Sequence, residues 1–121
     1  MDLEIRNIYL NIPVNDQMPE DSHDFHLAIN VEIGERGKEA SELFHFVAAS
    51  SQGLLGQVAA REFKFLRGYI LMEKFEWSVV RRSIQSLISH ASSRSNWSEV
   101  VSFFNRYGVY DSEDLDGRHL P

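Results

Sequence analysis

From Phe25 to Ile33 the chain reads FHLAINVEI, and no other nine residues constrain its architecture as strongly. Phe25, Leu27, Ile29, Val31 and Ile33 alternate with His26, Ala28, Asn30 and Glu32. That period of two describes a strand with one apolar face and one wetter face. Gly34-Glu35-Arg36-Gly37-Lys38 follows with turn chemistry, since glycine takes positive φ values that other residues resist. Residues 42–49 then return, with Phe44, Phe46 and Ala48 set against His45, Val47 and Ala49. The spacing predicts an antiparallel hairpin with a somewhat long connection.

On the N-terminal side, Leu3 and Ile5 then Ile8 and Leu10 mark another strand whose phase slips by one, as at a bulge or in a strand buried on both faces. Pro13, Pro19 and the polar residues around them make residues 11–24 a loop. On the C-terminal side, Gly53 and Gly56 argue against a firm helix over 50–66, although Leu54, Leu55 and Val58 suit an apolar turn or two. Residues 69–74 predict a strand, apolar enough at its start to be central. Trp77, Val80, Ile84, Leu87, Ile88 and Ala91 then fall at helical spacing. Asn96 stands three before Glu99, as in a capping box, and opens a second stripe of Trp97, Val100, Val101 and Phe104 that Gly108 ends. Val109 and Tyr110 suit a short final strand, and residues 111–121 an acidic tail loose at its end. Strands first and main helices later predict a single α+β domain over 1–121: an antiparallel sheet of about four to five strands with two C-terminal helices packed on one face.

Length and composition agree with one globular domain: 121 residues, 43% hydrophobic and 25% charged. With no cysteine there are no disulfides and no thiolate chemistry, which fits the cytosol. The start, MDLEIRN, lacks a basic patch followed by an apolar run, so no secretory signal is expected. No stretch approaches the ~18 apolar residues of a membrane span.

Charge is the most uneven property. The net charge is −6, yet residues 61–107 hold eight bases and four acids while both flanks are acidic. Asp16, Glu20, Asp21 and Asp24 crowd one loop without a base among them, and Asp111, Glu113 and Asp114 begin the tail. An acidic protein is poorly built to hold phosphate backbones, and Arg81, Arg82 and Arg94 make only a modest basic patch. Trp77 and Trp97 lie on the apolar stripes, where they suit the core better than base stacking.

Catalytic constellations are missing. No serine stands in a G-x-S-x-G elbow, and no G-x-x-x-x-G-K-[ST] loop occurs. Asp21, His23, Asp24 and His26 are close in sequence and of ligand type, but a zinc site needs about four converging donors and no second cluster completes the shell. The acids of the tail lack the burial that would tune them for acid–base work. The chain therefore predicts no enzyme, metal or cofactor. The rival reading is a small metal-dependent hydrolase using His23, His26 and nearby acids, and a third is a regulatory protein-binding module.

Taken in order, Pro19-Glu20-Asp21 before the strand from Phe25, Ile33-Gly34 with Gly37 and Glu39, Phe44, Gly68 before an apolar strand, Trp97-Ser98-Glu99, Arg106-Tyr107-Gly108 and Tyr110-Asp111 form a pattern. Over roughly residues 19–114 it resembles the immunity protein 8 family of bacterial polymorphic-toxin and contact-dependent growth inhibition systems. It departs at Tyr110-Asp111-Ser112, where a Trp-Glu-Phe-like stretch is expected. The resemblance implies a cytoplasmic, non-enzymatic protein that neutralises a cognate toxin domain, often a nuclease. The acids at positions 16, 20, 21, 24, 111, 113 and 114 are then the expected contacts, with Tyr110 and the other tyrosines, Tyr9, Tyr69 and Tyr107, as candidate anchors. The wetter sheet face around His26, Asn30, Glu32 and His45 is the alternative surface.

Overall fold

The structure, a computed structural model, describes residues 1–12 and 16–112. In chain order the elements are β1 (Leu3–Leu10), β2 (His26–Glu35), β3 (Ser41–Ala49), α1 (Ser51–Arg61), β4 (Tyr69–Leu71), α2 (Trp77–Ala91), α3 (Trp97–Phe104) and β5 (Val109–Tyr110). The alternating stretch is indeed a strand, paired with β1 on one side and β3 on the other, antiparallel to both. β4 and β5 share the far edge of β3, β5 beside Phe44 and His45 and β4 beside residues 47–49. The class is α+β as expected, with the two C-terminal helices on one face.

The phase slip in β1 is a bulge: Ile5 pairs with Ile33 and Asn7 with Glu32, so Arg6 is the extra residue. Leu3, Ile5, Ile8 and Leu10 thereby keep to the core side. The bulged Arg6 lays its guanidinium over the hairpin turn, donating to the carbonyls of Glu35 (2.6 Å) and Lys38. Only Gly37 uses the left-handed region in that turn (φ 83°). Gly34 is needed for a different reason, because a Cβ there would sit 2.6 Å from the Arg6 guanidinium carbon.

Two expectations are corrected. The sheet is mixed, because β4 runs parallel to β3, and β4 is a three-residue edge strand where a longer central one was expected. A parallel neighbour requires a crossover, and α1 supplies it in the stretch where glycines argued against a firm helix. Ser50, 1% exposed, accepts from Gly53 N (3.0 Å) and so caps α1, while its hydroxyl also accepts from Phe25 N (3.1 Å). A Cβ on Gly53 would lie 1.9 Å from the Phe25 carbonyl oxygen. The glycine that weakens helix propensity is thus what lets α1 begin flush against the start of β2.

The core lies between one sheet face and α2 with α3. Ile29, Val31, Ile33, Phe44 and Ala48 are all 0% exposed, and they meet Val80, Ile84 and Ile88 of α2 with Val100 and Phe104 of α3. Phe44 and Phe104 pack with their rings tilted by 32° and centroids 5.0 Å apart. Each such side chain contributes roughly 1.5–3 kcal/mol by leaving water. Trp77 and Trp97 pack partly buried against this core, and the Trp77 indole donates to the Gln17 carbonyl (2.8 Å), tying the acidic loop to α2. The capping box forms: Asn96 Oδ1 accepts from Glu99 N at 3.0 Å.

Candidate partner-binding surface

With helices over one face, the other face of the sheet carries the polar members of the alternation. The register sets Asn30 opposite His45 and His26 opposite Ala49. His45 bridges Asn30 Oδ1 (Nδ1, 2.7 Å) and Asp111 Oδ1 (Nε2, 2.8 Å). His26 Nε2 meets the Tyr69 hydroxyl at 2.7 Å. Burial lowers the His26 pKa below its ordinary value, and the positive charges of Lys64 and Arg61 push it the same way. On the opposite, core-facing side, Tyr110 packs on Phe44 at the sheet edge and donates its hydroxyl to Glu42 (2.6 Å), a bond that raises the phenol's pKa. On the polar face, His26, Asn30 and His45 are therefore engaged in hydrogen bonds within the protein.

The acidic loop is different. Asp16, Glu20, Asp21 and Asp24 are all exposed. Asp21 Oδ1 accepts from His23 N (2.9 Å), which shapes the turn, and the Ser22 carbonyl accepts from Phe75 N (2.8 Å), which fastens it to the body. Three acids elsewhere are paired with a base: Asp2 with Arg36, Glu4 with Arg6 and Glu35 with Lys38. No Lys or Arg pairs with any of the four loop carboxylates among the described residues. Glu39, Glu62 and Glu76 are also exposed without such a pair, and the loop differs in setting four such carboxylates within nine residues.

The remaining expected contacts divide. Tyr110 and Asp111 are held to the sheet by Glu42 and His45, while Glu113 and Asp114 lie outside the described residues. No three His, Asp or Glu side chains are grouped to hold a metal ion among the described residues. His23 Nδ1 is taken up by Ser22 Oγ (3.2 Å) and His26 by Tyr69, which disperses the cluster seen in the sequence. Among the described residues no helix is long and apolar enough to cross a membrane.

One feature escaped the sequence reading. Five large apolar side chains between the start of α1 and β4 face water: Leu55 (67% exposed), Phe63 (66%), Phe65 (74%), Leu66 (55%) and Leu71 (54%). The tyrosines were candidate anchors, at least half of them suited to the core instead, and of the four only Tyr107 is comparably open, at 48%. The available signal was the brevity of the apolar run Phe63-Lys64-Phe65-Leu66 between Arg61-Glu62 and Arg67-Gly68, too short to build an element with a face to bury.

The model of the family described as Immunity protein 8 matches residues 3–115, and the chain belongs to that family. The family implies an immunity protein, one that binds a toxin protein. No curated protein and no solved structure matches the chain.

Proposed function

We propose, with membership of the immunity protein 8 family as premise, that this protein binds and neutralises one cognate toxin domain of a contact-dependent growth inhibition or related polymorphic-toxin system. It acts in the cytoplasm by docking alone, with no bond made or broken. The toxin domain we favour is a nuclease. A nuclease cleft is lined with bases that hold phosphates, and a cluster of exposed carboxylates is attracted to the same field.

The observation that carries this reading is the loop with four exposed carboxylates and no neutralising base, fastened at Ser22 and Trp77 so that its charge is presented from a fixed place. Glu113 and Asp114 would add acidity from the tail, and Asp111 less, because its Oδ1 is taken up by His45 Nε2 (2.8 Å). Such a field acts mainly on the encounter rate and on partner choice.

The test is charge reversal of Glu20, Asp21 and Asp24 to lysine, with association measured against the cognate toxin domain, sought in the reading frame upstream of this gene. Association should slow by about tenfold or more at low salt, and its salt dependence should flatten. An unchanged rate and salt slope would remove the loop from the interface.

A further inference from the structure

The crossover between β3 and β4 is braced at both ends and bare in the middle. Ser50 caps its start, and at its end Val47 N donates to the Gly68 carbonyl (2.7 Å) and Met72 N to the Ala49 carbonyl (3.0 Å). Arg67 reaches Asn105 Oδ1 at 2.7 Å. Between these braces Phe63 and Phe65 pack edge-to-face, centroids 5.8 Å apart, with both rings largely in water. A fold with a complete core elsewhere gains nothing by exposing two phenylalanines and three leucines in one segment. Apolar surface of this kind marks a contact site.

We infer that this crossover, from Leu55 to Leu71, is the anchoring half of the toxin interface, docking an apolar toxin surface that carries carboxylates opposite Arg61 and Lys64. The inference rests on the proposed function and adds to it the source of the affinity. Aromatic anchors desolvated at an interface centre supply most of the binding energy, and a segment braced at both ends loses little freedom when it docks.

Charge selects the occupant. Within an acidic protein, residues 55–71 carry three bases and one acid. Lys64 Nζ stands 5.9 Å from the Tyr69 ring, and Lys64 and Arg61 both act on His26. A symmetric contact between two copies through this patch would set these bases against themselves, since a two-fold interface must complement itself. A partner with apolar groups and carboxylates has no such conflict. The acidic loop ends at Asp24, two residues before His26, so the acidic and the apolar–basic surfaces meet at that histidine. A toxin domain spanning both must present bases to one and acids to the other, which fixes its orientation.

Calorimetry of the full chain with the cognate toxin domain tests this, using F63S/F65S and, separately, R61E/K64E. Wild type should bind one to one. F63S/F65S should bind at least about thirtyfold more weakly with its thermal midpoint unchanged, because both rings are already exposed. R61E/K64E should weaken binding by about tenfold. Wild-type affinity in both variants would overturn the inference while leaving the proposed function standing. So would sedimentation showing a wild-type dimer that F63S/F65S converts to monomer, because the patch would then be a self-contact. Failure of the wild type itself to bind would overturn the proposed function, and the inference with it.

Discussion

Two connections leave β3, and they treat large apolar side chains in opposite ways. Toward β2 the hairpin buries them: Ile29, Val31, Ile33 and Phe44 reach zero exposure under α2 and α3. Toward β4 the crossover displays them, with Phe63 and Phe65 about two-thirds to three-quarters in water. Side-chain chemistry does not separate the two regions. What separates them is whether another element of the same chain covers the surface. The hairpin is where folding draws its free energy, and the crossover is where surface is held for a partner.

The sharpest way to break the contrast is to empty the hairpin. F44A removes a ring packed on Phe104 and Tyr110 at zero exposure and should cost about 3–5 kcal/mol, read from chemical denaturation. A loss under ~1 kcal/mol would mean that the core lies elsewhere. The next effect compares the two glycines of α1. G53A drives a Cβ into the Phe25 carbonyl and should destabilise by about 1–3 kcal/mol. G56A meets nothing within 4 Å and should stabilise by up to ~1 kcal/mol through helix propensity. Equal effects of the two would refute the close approach of α1 to β2.

The smallest expected effect lies at the junction. Because the folded state holds His26 below its ordinary pKa of 6.5, the unfolded chain takes up that proton first as pH falls. Stability must therefore drop with falling pH from about 6.5 until the folded-state value is passed, and H26Q should show a shallower acid slope in thermal melts between pH 7 and 5. Parallel slopes would mean that burial and the charges of Lys64 and Arg61 do not act on this ring.

How legible the molecule was in its sequence follows the same division. Strands and helices with one clear period, 25–33, 77–91 and 97–104, were readable because each has one face to bury and a helical or extended spacing to show it. The bulge at Arg6 was readable for the same reason, as a break in an otherwise regular pattern. The helix over 51–61 was not, because its start depends on a serine cap and on a glycine that fits against the Phe25 carbonyl, a contact nearly thirty residues away in sequence. The parallel pairing of β4 was hidden too, since three residues carry no sign of direction. At the surface, the acidic loop could be seen as a run of unpaired charge. The apolar anchors could not, because periodicity reports what a chain buries in itself and is silent on what it saves for another molecule.

The central claim is that the protein silences its toxin by occupying it. Titrating a fixed amount of the cognate toxin domain with purified protein, while following the toxin's activity, tests that most directly. Activity should fall linearly to background at one equivalent, with both chains recovered intact as a complex. Full toxin activity in the presence of excess protein, or inactivation of many equivalents of toxin by one of this protein, would contradict it.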